Sequence, residues 1–378
     1  MTRTNPSYRE VERKYLVRQG KEDTLPRDLS SAESKTIEQY YVNHASEPYE
    51  LRLRRTQDQD NEAYVATIKQ GAPPDRLEVE TPIHPSTYQL WMGSRHTEVL
   101  TKQRRTLAFA AGHWALDTFT RFDFSLIEAE GDVPQPEFGT DVTDDTRFTN
   151  YELAQLNDLL AGFLPDSLAK PPEKSDINKL RYLIEYLKQQ TSEPMIIGIA
   201  GGTASGKTTL ARELAAPYDG EAIIISQDDY YHGVSKMLEV FGDDHLVNFD
   251  DPISIDTFSL ARHLQMLREG VEIQRPTYSM TTSNPTGEFV AINPSDTPVI
   301  FVEGIFALDP ALKDLYDLTI FAHAPLATRV GRRLERDLAE GRSYNPEDNL
   351  RYLLEVAEPT YAPHAESQKQ LAEIIFQT

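Results

Sequence analysis

A short, unbroken apolar run, Met195–Ala200, leads directly into Gly201-Gly202-Thr203-Ala204-Ser205-Gly206-Lys207-Thr208 and then into an amphipathic stretch starting at Lys207. Few sequence features restrict a fold more. Six apolar residues suit a strand buried on both faces. The glycines let successive backbone N–H groups turn into one concavity, and the N-terminus of the following helix adds its positive dipole end. Strand, loop and helix in that order call for a parallel sheet with helices over both faces. A chance glycine-rich turn would have neither the strand before it nor the helix after it.

The rest of this half alternates as that fold requires. Strands are expected at Ala222–Ser226, Val299–Val302, Leu318–Ala322 and Ala372–Phe376, and helices at Lys207–Ala216, Thr257–Glu269 and Leu326–Glu340. The spacing GxxxxGK[ST] is that of a P-loop: the backbone from Gly201 to Thr209 would cradle ATP's phosphates. Lys207 would reach the β- and γ-phosphates, and Thr208 would offer a hydroxyl to Mg²⁺. Asp228 follows the second strand, where a carboxylate can accept the proton of an attacking hydroxyl; the plain alternative for Asp228-Asp229 is a solvated turn. A GTPase would need a guanine-reading NKxD, and none follows.

This half resembles the uridine/cytidine kinases over Met195–Phe376. Ser226-Gln227-Asp228 with Tyr230-Tyr231 is similar to that family's catalytic-aspartate segment, and Asn248-Phe249-Asp250-Asp251-Pro252 to its ribose-contacting motif. Glu303-Gly304-Ile305 is similar to its second metal-site strand. Arg329, Arg332-Arg333, Arg336-Asp337 and Gly341-Arg342 are similar to its lid. The resemblance implies that Asp228 and Lys207 act in phosphoryl transfer and that Glu303 joins Thr208 at the metal. Asp250 and Tyr278 would meet the acceptor, and Arg333, Arg336 and Arg342 the phosphates. One segment departs. Where the family has Tyr-Asp-Phe-x-x-His against the pyrimidine nucleoside, this chain has Tyr278-Ser279-Met280-Thr281-Thr282-Ser283. A site without those donors and acceptors discriminates poorly for the old substrate, so the acceptor stays open.

The N-terminal half carries a recurring i, i+2 spacing. Glu10, Glu12 and Lys14 fall on one strand face, as do Arg52 and Arg54, Arg76 with Glu78 and Glu80, Lys102 and Arg104, and Glu128 and Glu130; Lys69 and Asp117 lie on further strands. For any one pair a solvated strand face is the better reading. Five pairs of alternating sign argue for strands closed with their charges inward, which is tolerable only if opposite charges pair and ligands complete them. Mg²⁺ or Mn²⁺ on the carboxylates and a polyphosphate on the cations would do so.

That pattern resembles the CYTH family, the triphosphate tunnel metalloenzymes, over roughly residues 5–165. Its ExExK opening corresponds to Glu10, Glu12 and Lys14, followed by Ile37-x-Gln39-x-Tyr41 and the pairs above. The resemblance implies an eight-stranded tunnel acting on a triphosphate. Arg52, Arg54, Lys69, Arg76, Lys102 and Arg104 would grip phosphates; Glu10, Glu12, Glu78, Glu80, Asp117, Glu128 and Glu130 would serve metal; Lys14 would help orient the attacking water. A helix at Tyr151–Phe163 would plug one mouth.

The expected organisation is therefore an antiparallel β-barrel tunnel with flanking helices over residues 1–165, a linker and helix over 166–193, and an α/β P-loop NTPase fold with a parallel sheet over 194–378. A formal charge of −22 disfavours nucleic-acid and anionic-membrane partners, while small nucleotides and polyphosphates need only local cations; a homo-oligomer stays open. The absence of cysteine and of any long apolar stretch suits a cytoplasmic protein. The whole reads as a bifunctional enzyme, an ATP-dependent kinase joined to a metal-dependent tri- or pyrophosphatase. Two alternatives stay open: the tunnel as an adenylate cyclase, and the kinase half as a nucleotide-sensing module controlling the tunnel.

Overall fold

The computed structural model describes residues 12–18, 26–30, 32–43, 47–59, 61–71, 77–122, 124–136, 139–161, 175–191, 194–242, 248–294, 299–341 and 345–378. Two compact units part between Pro171 and Pro172, with Leu326–Gly331 and Asn345–Arg351 grouped with the first.

The first unit is one antiparallel sheet. Its strands are β1 (Glu12–Arg18), β2 (Ser34–Tyr41), β3 (Tyr49–Gln57), β4 (Glu62–Gln70), β5 (Leu77–Pro82), β6 (Leu100–Phe109), β7 (Gly112–Phe119), β8 (Phe124–Gly131) and β9 (Thr140–Asp141), in the spatial order β5-β4-β3-β2-β6-β7-β8-β1-β9. All eight long strands expected of a tunnel are present. The sheet is not closed among the described residues, which corrects the expectation of a closed barrel. The free edge of β1 is taken by β9, through Tyr15↔Asp141 and Leu16↔Thr140, so β1 does not meet β5.

Register puts the charged residues on a common face. Lys14 opposes Glu128, Arg104 opposes Asp117, Tyr41 opposes Arg52, Gln39 opposes Arg54, and Lys69 opposes Glu78. Residues directly opposite in an antiparallel pair share a side of the sheet. The other side of β1, β7 and β8 buries Tyr15, Val17, Leu116, Ile127 and Ala129 with Leu29 and Trp114. The helix Asn150–Ala161 adds Tyr151, Leu153 and Ala154 to a cluster with Tyr41, Leu100 and Phe119.

The second unit carries β10 (Met195–Ala200), β11 (Ile223–Ser226), the hairpin β12 (Ile273–Ser279) and β13 (Asn284–Ile292), then β14 (Val299–Gly304), β15 (Leu318–His323) and β16 (Ile374–Gln377). Five of these form a parallel sheet in the order β11-β14-β10-β15-β16. Alternate residues of β10 enter two different cores, Ile196 and Ala200 on one face and Ile197 and Ile199 on the other. That explains its unbroken apolar run. The helix Ile177–Lys188, capped by Asp176, contributes Leu180 and Ile184 to the second of these cores. Among the described residues no helix is long and apolar enough to cross a membrane.

Candidate active sites

In the second unit, β10 delivers the glycine-rich loop to the C-terminal end of the parallel sheet, where open α/β sheets bind ligands. Gly206 sits at φ 91°, a left-handed conformation that glycine adopts without cost, and caps the helix Lys207–Ala215. A Cβ on Gly201 would come within 2.5 Å of the Ala322 carbonyl oxygen and the Ser205 Oγ. The loop is therefore built on close backbone approach.

Three strands and the loop converge on Glu303 at the end of β14. Its Oε2 accepts from the Thr208 hydroxyl at 3.1 Å and its Oε1 from Ser226 at 2.9 Å. The Ser226 Oγ in turn accepts the Asp228 backbone N–H at 3.3 Å. A cavity of about 990 Å³ is lined by Lys207, Thr208, Asp228, Glu303, Tyr278 and Arg336. Burial raises the Asp228 carboxyl to about 6, with Glu303 and Asp229 pushing the same way and Lys207 and Arg336 opposing. Such a carboxyl is a stronger base than an exposed one and still ionised at neutral pH.

The lid arginines divide. Arg332 and Arg336 line this cavity, one helical turn apart on the helix Leu326–Ala339. Arg333 instead pairs with Asp250 at 3.2 Å, and Tyr352 donates its hydroxyl to the same carboxylate at 3.2 Å. Of the adjacent lid arginines Arg332 and Arg333, it is Arg332 that lines the cavity. Arg342 lies outside the described residues. Tyr278 stands on the hairpin β12–β13, 5.5 Å from the Tyr231 ring. Burial, with Asp228 adding to it, pushes its hydroxyl up to about 12. Arg275 of the same hairpin meets Asp229 at 3.2 Å and donates to the Ile224 carbonyl at 3.2 Å, so the hairpin is tied to β11, the strand that leads into Asp228.

In the first unit the charged face encloses a cavity of about 560 Å³, lined by Lys14, Arg52, Arg54, Lys69, Lys102, Arg104, Glu78, Glu80, Glu128 and Glu130 together with Gln39, Tyr41 and Asn150. Nearly every expected residue on the described strands therefore faces one space. Glu10 and Arg76 lie outside the described residues. For Glu12 the backbone is described, and it registers opposite Glu130.

The charges are paired. Lys102 and Asp117, each only 1% exposed, meet at 2.5 Å. Arg104 holds Asp117 with two bonds of 2.6 Å and also binds Glu128. Lys14 approaches Glu128 to 3.9 Å. Glu80 takes Arg54 at 3.1 Å and Arg52 at 3.6 Å, and Glu78 takes Lys69 at 2.8 Å. Burial opposes ionisation of Glu128, but Lys102, Arg104 and Lys14 hold it well below the ordinary carboxylate range. Burial lowers the Lys102 ammonium, with Asp117 and Glu128 working against it. Among the described residues the buried Nε atoms of Arg52 and Arg54 have no hydrogen-bond partner, so each keeps a donor in reserve.

The divalent ions expected in the two sites differ in fit. Thr208 and Glu303 offer adjacent hard oxygens suited to Mg²⁺. In the first unit, Glu78, Glu80 and Asp117 are each engaged by a cation, and among the described residues no three acidic or histidine side chains are grouped to hold a metal.

Residues 196–378 match the Phosphoribulokinase / Uridine kinase family, and residues 8–158 match the CYTH domain. A uridine kinase of Limosilactobacillus reuteri is 36% identical over 190 residues, 50% of this chain and 84% of that protein. A uridine kinase of Staphylococcus haemolyticus is 36% identical over 182 residues, 48% of this chain and 86% of that protein. Among solved structures, an inorganic triphosphatase is 25% identical over 38% of this chain and 93% of its own, with a TM-score of 0.28.

Proposed function

The chain belongs to the phosphoribulokinase/uridine kinase family through its C-terminal half and carries a CYTH domain in its N-terminal half, and from that premise we propose a cytoplasmic bifunctional enzyme. The second unit transfers the γ-phosphoryl group of ATP to a small hydroxyl acceptor, and the first hydrolyses a tri- or pyrophosphate. What carries the kinase reading is the convergence of Lys207, Thr208, Asp228 and Glu303 on one cavity at the end of a parallel sheet.

The acceptor's hydroxyl oxygen attacks the γ-phosphorus while its proton passes to Asp228, whose raised basicity suits that transfer. As the bond to the β-phosphate breaks, the loop amides and Lys207 hold the charge that develops there. Arg332 and Arg336 neutralise the transferring group from the lid side. Thr208 and Glu303 would hold Mg²⁺, which supplies further charge neutralisation across the phosphates. Asp250, fixed by Arg333 and Tyr352, orients the acceptor. Because Ser279, Met280 and Ser283 stand where a nucleoside-reading set would be, the acceptor need not be uridine, and a nucleotide-sensing role without turnover is the second reading that segment favours.

In the first unit, Arg52, Arg54, Lys69, Lys102 and Arg104 grip the phosphates and Lys14 orients water toward the terminal phosphorus. A divalent ion there would draw on Glu128 and Glu130 with Glu10 and Glu12. The experiment is a crossed pair. Lys207→Ala is expected to abolish ATP-dependent phosphorylation across a panel of nucleosides and sugars while sparing tripolyphosphate hydrolysis, and Arg54→Ala to do the reverse. Retention of both activities by both variants refutes the assignment. Cyclic AMP from ATP, in place of released phosphate, would turn the tunnel reading toward a cyclase.

A further inference from the structure

Five side chains in the first unit close a ring of hydrogen bonds. Lys102 donates to Asp117 at 2.5 Å; Arg104 donates to Asp117 at 2.6 Å and also to Glu128; Asn150 donates through Nδ2 to Glu128 Oε1 at 3.4 Å and accepts from Lys102 Nζ at 2.9 Å. Four members come from the sheet strands β6, β7 and β8. The fifth, Asn150, comes from the first residue of the helix Asn150–Ala161. It is neutral, it follows no charged spacing, and nothing in the local sequence marks it.

Asn150 is not needed where it stands for the helix itself. An asparagine at a helix start ordinarily spends its side chain on a free backbone N–H, but here Thr149 does that work, its Oγ1 accepting from the Glu152 N–H at 3.2 Å. The helix is docked by other contacts: Tyr151 donates to the Asn43 carbonyl at 3.2 Å, Asn157 to the Val99 carbonyl at 3.3 Å, and Leu153 and Ala154 are buried. The amide of Asn150 is thus released to serve the charged network.

We propose that Asn150 is a positioning residue for the tunnel reaction, fixing where the Lys102 ammonium points and keeping Glu128 Oε1 turned toward the cavity. The inference rests on the tunnel reading. Lys102 has three N–H donors; with two given to Asp117 and Asn150, the third is constrained to one direction. Both Lys102 and Asn150 line the cavity, so that direction is set within the space where a phosphate would sit. A neutral amide can bridge an ammonium and a carboxylate because it carries both a donor and an acceptor. A carboxylate cannot donate to Glu128, and alanine can do neither.

Two variants separate positioning from scaffolding. Asn150→Ala keeps a good helix former and every formal charge, so the KM for tripolyphosphate is expected to stay within about threefold while kcat falls about 10- to 100-fold. Asn150→Asp keeps the shape and the contact to Lys102 but sets a negative charge beside Glu128, and a roughly tenfold rise in KM is expected at pH 8. An Asn150→Ala enzyme with native kcat, or one whose loss falls on KM instead of kcat, overturns the proposal, as does an Asn150→Asp enzyme with native KM. If the native protein itself neither binds nor hydrolyses tripolyphosphate, the tunnel reading falls first, and that outcome is distinct from both.

Discussion

The two cavities gather positive charge by opposite means. In the second unit the cradle is mostly backbone: glycine amides and a helix N-terminus, with Lys207 and the lid arginines added. In the first unit the cradle is entirely side chains, and each cation already has an acid beside it. A backbone cradle carries partial charges that cannot leave or titrate. A side-chain cradle carries full charges that must be neutralised somehow before the ligand arrives. The first can be specified by eight consecutive residues, while the second has to be assembled from seven strands.

That contrast can be broken most sharply at Lys207. Lys207→Ala is expected to lower kinase kcat by about 10³-fold, as loss of a group aimed at developing charge does, with no change in tripolyphosphate hydrolysis or in thermal unfolding. A fall in both activities would mean that the two cradles are not independent. Arg104→Ala should instead lower stability, since it removes the cation that bridges the buried Asp117 and Glu128 and leaves Asp117 to Lys102 and Glu128 to the more distant Lys14. About 3–5 kcal/mol is the expected loss, read as a lower denaturation midpoint; an unchanged midpoint would mean that water or a rearranged Lys14 already compensates.

A subtler discrimination comes from pH. Because Asp228 is raised to about 6 and acts as a base only when ionised, kinase kcat/KM should fall as pH drops through about 6 and level off above it. A limb near the ordinary aspartate value of about 4 would argue that Asp228 is not the proton acceptor. The smallest effect belongs to the altered segment. Ser279→Asp with Met280→Phe and Ser283→His should raise kcat/KM for uridine by about tenfold, on the scale of a few regained polar contacts; no gain would place the acceptor's determinants elsewhere.

The same contrast explains what could be read from the chain alone. The β10 strand, its loop and its helix were legible because each is a local pattern, and β10 spans Met195–Ala200 as expected. The inward face of the first unit was legible because alternation on a strand is also local. The partners were not. Which acid meets Arg104, or that Asn150 reaches across to Lys102, depends on strand order and helix docking, and separations of 13 to 48 residues leave no short-range trace. Which of the adjacent Arg332 and Arg333 lines the cavity was not legible either, because both lie about one turn from Arg336 and Asp250, which takes Arg333, is 83 residues away. The open sheet edge escaped notice because β9 is two residues long, too short for any periodicity.

One consequence follows from the acids that already occupy the tunnel's cations. On the proposed reading, a triphosphate entering that space would displace carboxylates from Arg54, Lys69 and Arg104, and its affinity would be lowered by the cost of parting each pair.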